Sequence, residues 1–142
     1  MNVDSFKNLL VSETTKLGFA WSEGEENNGT FFLGCKFQFP YYDDDCQINL
    51  LFDADSVRIC FYLDAIVPSY DNLKLINDFN ENVPFLKAHI ARTKNGYFLF
   101  ITHDIINPES EEVAVKNFVE ICKYVNSQNV SIFLRPLTVI TQ

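Results

Sequence analysis

The chain is short of the residues that metal and acid-base chemistry need. Its two histidines are His89 and His103, and its four cysteines, Cys35, Cys46, Cys60 and Cys122, stand far apart with no C-x-x-C pair and no histidine at ligand spacing. Zinc sites draw donors from short paired intervals, so no metal is expected, and the thiols read as free, buried, small hydrophobes. Cations are scarce too: eleven Lys and Arg stand against nineteen Asp and Glu, a formal charge of -8. A surface of that sign repels a phosphate backbone and an anionic membrane, so neither nucleic acid nor membrane is an expected partner. Gly24, Gly29 and Gly34 lack phosphate-cradling spacing, and no Lys-Ser or Lys-Thr follows a glycine loop, so no nucleotide cofactor is expected either. The stretch from Met1 to Leu17 has polar groups every few positions, which fits neither a signal peptide nor an anchor and predicts a cytoplasmic protein.

What is abundant is apolar and aromatic. Hydrophobic residues make up 47% of 142 positions, enough for one domain spanning 1–142 with a continuous core. Fourteen Phe and six Tyr are more rings than one sheet face and three helices need to absorb, so some are expected to face a partner.

Periodicity orders the chain as helix, three or four strands, helix, hairpin, helix. Asp4 is placed to cap a first helix with Phe6, Leu9, Leu10 and Leu17 on one stripe, ended by Gly18. From Thr30 the period becomes two, with Phe31, Leu33, Cys35, Phe37 and Phe39 on one face and Phe32, Gly34, Lys36 and Gln38 on the other. A short strand over Phe19 to Ser22 is expected to precede it, joined through Glu23 to Gly29 with Asn28-Gly29 as the turn. A hairpin with Ala54 and Asp55 at its tip pairs Phe52 with Val57, Leu50 with Ile59, Ile48 with Phe61 and Cys46 with Leu63. A slip of one residue would turn that whole set into water. Ser69 caps a middle helix running to about Val83, with Tyr70, Leu73, Ile76 and Val83 on one side and Leu75 and Phe79 on another. A second hairpin, with Asn95-Gly96 at its tip, places Ala88, Ile90, Leu99 and Ile101 on one face and His89, Ala91, Phe98, Phe100 and Thr102 on the other. The last helix is read from Asn107 as cap and Pro108 at its first position, burying Val115, Phe118, Val119, Cys122 and Val125, with a short strand over Ser131 to Leu134 after it. The predicted core face holds Leu33, Cys35, Ile48, Leu50, Ile59, Phe61, Ala88, Ile90, Leu99 and Ile101, under the first and third helices.

Candidate chemistry fails on placement. The hairpin register sets His89 and His103 on opposite faces, which rules out a shared proton. Asp43, Asp44 and Asp45 fan apart without the spacing or glycine of a calcium loop, and Asp53 and Asp55 are accounted for by turn chemistry. No catalytic, metal-binding or cofactor-binding residue is assigned. The residues that remain are Phe32, Leu51, Tyr62, Phe98 and Phe100 on the mixed sheet face and Leu75 and Phe79 on the second side of the middle helix. They read either as a second small core or as a protein-binding surface. The two-sided middle helix and the sheet edge point to a homodimer as one way of covering them.

From Ser69 to Ile101, Leu73-Lys74-Leu75-Ile76-Asn77-Asp78-Phe79-Asn80, then Pro84-Phe85-Leu86-Lys87-Ala88 and Gly96-Tyr97-Phe98-Leu99, the chain resembles the YbjN-like family of bacterial sensory transduction regulators. The Leu-x-x-Ile-Asn-x-x-Asn pattern carries most of that likeness. The family is similar in fold to the type III secretion chaperones, small acidic cytosolic dimers that hold an extended segment of another protein. The resemblance implies an α/β (α+β) two-layer sandwich: an antiparallel twisted sheet in the order α-β-β-β-α-β-β-α, the first and third helices on one face and the middle helix near a dimer contact. It implies no catalytic residue, and it gives Asn77 and Asn80 packing or capping roles. The expected function is that of a non-enzymatic module, chaperone-like or regulatory, presenting an apolar sheet surface to a protein or peptide. A small-ligand or enzymatic domain with a pocket between sheet and helices, and an immunity-like protein, are the alternatives.

Overall fold

Alternating apolar residues over three long strands create one face that must be buried, and the amphipathic helices supply the cover. A computed structural model describes residues 1–38 and 45–137. In chain order the elements are α1 (Val3–Thr15), β1 (Ala20–Trp21), β2 (Glu25–Asn27), β3 (Thr30–Gln38), β4 (Asp45–Phe52), β5 (Ser56–Ala65), α2 (Tyr70–Asn82), β6 (Lys87–Thr93), β7 (Gly96–Ile106), α3 (Glu111–Val125) and α4 (Gln128–Leu134). The seven strands form one antiparallel sheet in the order β1-β3-β4-β5-β7-β6, with β2 also paired to β3. The chain therefore leaves β5 through α2, makes the β6–β7 hairpin, and returns β7 to lie beside β5.

The registers of the long strands are those the hydrophobic pattern demands. Phe52 faces Val57, Leu50 faces Ile59 and Ile48 faces Phe61, while Ala88 faces Ile101 and Ile90 faces Leu99. The described β4–β5 ladder ends at Gln47–Tyr62, so the Cys46–Leu63 pair is not part of it. Leu33, Cys35, Ile48, Leu50, Ile59, Phe61, Ala88, Leu99 and Ile101 are buried, and Ile90 is half-buried at the edge. Phe6 and Leu10 of α1 and Val115, Phe118, Cys122 and Val125 of α3 close over them. Phe39, Asp43 and Asp44 lie outside the described residues.

Several local expectations are corrected. The cap of α1 is Asn2, whose Oδ1 accepts the Ser5 N–H at 2.9 Å, so Asp4 sits in the first turn and Leu17 lies exposed beyond the helix. The cap of α3 is Ser110, whose Oγ accepts from Val113 at 3.2 Å. Asn107, with φ 46°, instead closes the exit of β7 by donating its N–H to Asp55 O. Ser131 to Leu134 is helix, not strand. Val130 and Leu134, four residues apart, bury together, and Phe133 packs edge-on against Phe79 at 6.5 Å, so tertiary cover overrides a short β-like run. The β6–β7 tip is Lys94-Asn95, because Thr93 pairs with Gly96. Gly96 (φ 109°) supplies the positive dihedral and Asn95 does not, so the type I′ turn falls at Asn28 (φ 52°) and Gly29 (φ 82°), between β2 and β3. Strand β2, made of exposed polar residues, carried no hydrophobic period to reveal it.

The middle helix is turned relative to the expectation. Asn72, Ile76 and Phe79 are its buried residues, and Tyr70 and Leu73 face outward. Asn72 is buried because its Nδ2 donates to Val67 O at 2.7 Å, fastening the start of α2 to the preceding loop. The side bearing Leu75 and Phe79 is covered within the chain by α4, which removes the need for a second subunit there.

Candidate functional site

One side of the sheet is sealed by helices and the other is not covered by any described element. On this open face the residues form rows across the strands. Phe32, Leu51, Arg58 and Asp104 make one; Gly34, Asn49, Cys60, Thr102 and Lys87 the next; Lys36, Gln47, Tyr62, Phe100 and His89 a third. Each row follows from the period of two, since residues that alternate with the core must share the opposite face.

The first row has an apolar half and a charged half. Phe32 and Leu51 face each other and are 38% and 42% exposed. Arg58 clamps Asp104 with both arms, Nε to Oδ1 at 2.8 Å and Nη2 to Oδ2 at 3.1 Å, and this bond lowers the Asp104 carboxyl below its ordinary range. Two depressions of about 310 and 300 Å³ flank Leu51, one reaching Arg58, Asp104 and Ile106, the other Phe32, Glu25 and Glu26.

Between the third row and the middle one, Gln47 Nε2 donates to Asn49 Oδ1 at 3.0 Å and the pair leans over Gly34. A Cβ on Gly34 would stand 3.0 Å from Gln47 Nε2, 3.2 Å from Asn49 Oδ1 and 3.2 Å from Ser22 Oγ, so the missing side chain lets this polar bridge lie flat on the sheet. Burial pushes the Cys60 thiol up to about 11, opposed by the nearby Arg58 charge, which keeps it protonated and unreactive at neutral pH.

The third row is an aromatic stack. Tyr62 meets Phe100 edge-on at 4.2 Å, and the His89 ring lies parallel to Phe100 at 5.5 Å. Desolvation, with Arg58 nearby, lowers the His89 pKa and favours the neutral ring. Phe100 is 5% exposed yet outside the main core cluster, so it is the buried centre of a small satellite cluster on the open face.

Of the seven residues singled out from sequence, Phe32, Leu51, Tyr62, Phe98 and Phe100 share this face, and the first two are its exposed apolar ground. Tyr62 and Phe98 are half-buried. Phe100 is not available for contact, being held between its neighbours. Phe79, near the C-terminal end of α2, is buried and Leu75 packs against the core, so neither belongs to this open face. His89 and His103 fall on opposite faces as expected; His103 contacts Phe85 O through Nδ1 at 2.6 Å on the helix side. Among the described residues no three His, Cys, Asp or Glu side chains cluster as a metal site would require. Missed from sequence was the Arg58–Asp104 clamp. It joins strands that are not neighbours in the chain, and knowledge of the β5–β7 pairing is what would have exposed it. Of the Asn pair one has the packing role expected of both: Asn80 donates to Ala88 O at 2.9 Å and accepts from Ala88 N at 2.7 Å, fastening α2 to the outer side of β6, whereas Asn77 is exposed.

The layered arrangement, a seven-stranded antiparallel sheet with helices on one face, is an α/β sandwich, and no helix among the described residues is long and apolar enough to cross a membrane. Among solved structures the chain matches the crystal structure of YbjN, a proposed transcription regulator from E. coli, with TM-score 0.59 over 95% of this chain and 96% of that one. At 12% identity the likeness is one of fold: this chain has the YbjN fold. No family model matches the chain. No curated protein matches it either.

Proposed function

We propose that the protein is a non-enzymatic binding module, chaperone-like or regulatory, whose open sheet face receives a protein or peptide partner in the cytoplasm. The observation that carries this reading is the asymmetry of the sheet. One face is closed by helices, while the other presents Phe32 and Leu51 side by side, half-exposed, with polar bridges and a charge clamp around them. An apolar centre ringed by satisfied polar groups is the anatomy of a protein contact, whereas a catalytic site needs convergent titratable groups. The regulatory description of the YbjN structure is in keeping with it. The charge of -8 favours action through a protein rather than by direct contact with DNA.

The test is partner capture by the wild-type chain against Phe32→Ser and Leu51→Ser. Loss of a specific partner with unchanged melting supports the reading, and undiminished capture by both variants refutes it. Self-association keeps a basis in Val67, just before α2, and Tyr70 and Leu73 in its first turn, all exposed apolar residues. Light scattering at high micromolar concentration gives twice the chain mass if they form a homodimer contact, and a single chain mass removes that contact from the account.

A further inference from the structure

The sheet stops on one side at β6, and this edge differs in charge from the rest of the molecule. Between residues 82 and 103 there is no Asp or Glu, while Lys87, Arg92 and Lys94 all stand exposed there, in a chain whose formal charge is -8. The other side of the sheet has the reverse character, with Glu23, Glu25 and Glu26 exposed around β2.

The backbone of β6 is open as well. Asn80 takes both outward groups of Ala88, its N–H and its C=O, much as a neighbouring strand would. Outward groups recur at every second residue of an antiparallel strand, so those of Ile90 and Arg92 point the same way. Among the described residues neither has a hydrogen-bond partner there. Asn80 thus makes the first rung of a ladder whose next two rungs are vacant.

From this we infer that the β6 edge receives an extended acidic segment of a partner protein by strand addition, with backbone bonds at Ile90 and Arg92 and alternate carboxylates on the Arg92 side of the strand, Lys87 and Lys94 adding to the positive charge of the edge. Cations on an edge normally keep other strands away. They do so by repelling like charge, and a segment of opposite charge meets the same edge as a complement. A second copy of this chain is the poorer occupant, because pairing two β6 edges about a twofold axis gathers the cations of both copies along one seam with no acidic residue of β6 to offset them. The inference rests on the protein-binding reading but uses other atoms, the β6 backbone rather than the Phe32 and Leu51 side chains.

The experiment is amide-resolved NMR of the full chain with a capped heptapeptide alternating Glu with Val and Thr. At saturation the Ile90 and Arg92 amides exchange at least about tenfold more slowly, as an opened edge group becoming a ladder bond requires, and binding weakens as salt is raised. The same peptide N-methylated at alternate residues fails to bind, as does the peptide with Lys for Glu, and Phe32→Ser binds as wild type. Unchanged exchange at both amides overturns the inference, as does equal binding of the N-methylated or Lys peptide, or the same protection produced by a single-stranded oligonucleotide. If Phe32→Ser abolishes peptide binding, the edge assignment falls and the open-face reading stands.

Discussion

Replacing Asn80 by Ala removes a clamp whose geometry is fully defined. Both hydrogen bonds go to one residue, Ala88, at 2.7 and 2.9 Å, and they tie the C-terminal half of α2 to the outer edge of the sheet. A neutral hydrogen bond contributes about 0.5–1.5 kcal/mol net, so two give an upper range near 3 kcal/mol. Asn80 is itself exposed, and water replaces part of what is lost at an edge strand, which lowers the expectation to about 1–2 kcal/mol. For a chain of this size that is a fall of roughly 3–8 °C in melting temperature. Asn80→Asp keeps the acceptor but sets a carboxylate oxygen against Ala88 O, so it should be at least as damaging. Asn77, on the exposed side of the same helix and without a hydrogen bond to it among the described residues, is the control, and Asn77→Ala should stay within about 0.5 kcal/mol. Thermal and urea unfolding measure the global cost, and amide exchange at Ala88 measures the local one. If Asn80→Ala leaves both the midpoint and Ala88 protection unchanged, the clamp is an unimportant contact and the account of the β6 edge loses its first rung.

Other outcomes follow from the same structure. Phe61→Ala, at a fully buried position in the centre of β5, should cost about 3–5 kcal/mol by urea denaturation. Cys35, pushed up to about 12 by burial, Cys60, at about 11, and Cys122, raised well above its usual value, should resist a thiol reagent at pH 8 and react promptly once denaturant is added. Fast native labelling of Cys35 or Cys122 would mean that the core opens. His89 should titrate below its ordinary 6.5 by NMR. A base whose folded pKa is depressed binds protons better when unfolded, so stability is complete above 6.5 and falls as the pH drops through the interval beneath it. His89→Gln should flatten that slope, and an unaltered slope would assign it to another group.

The long strands were readable because their period is two and one face is wholly apolar. Phe52–Val57, Leu50–Ile59 and Ile48–Phe61 admit one register, and the placement of His89 and His103 on opposite faces followed from the same parity. Moving the β6–β7 tip to Lys94-Asn95 changed the partners by two positions and left each residue on its face, so the candidate surface survived that error. The helix ends were less legible, since Asn2 and Ser110 compete with Asp4 and Asn107 as caps and the sequence does not rank them. The C-terminal helix was hidden because Ser131 to Leu134 is too short for its own period to decide, and its contact with Phe79 comes from over fifty residues away. That contact is also what decides, for Phe79, between a small core and a binding surface. Phe100 was placed on the correct face but not recognised as buried, because the ring of Tyr62 that covers it arrives through the β5–β7 pairing. For that reason Phe32 and Leu51, and not Phe100, are the residues to exchange.

The central claim is that the partner sits on the open face of the sheet, and hydroxyl-radical footprinting of side chains in the captured complex tests it most directly. Phe32, Leu51 and Tyr62 report from that face, while Tyr70 and Phe85, 79% and 75% exposed, report from elsewhere on the surface. The account predicts that oxidation of Phe32, Leu51 and Tyr62 falls on complex formation while Tyr70 and Phe85 keep their free-state rates. Protection of Tyr70 and Phe85 with Phe32 and Leu51 unchanged would contradict it.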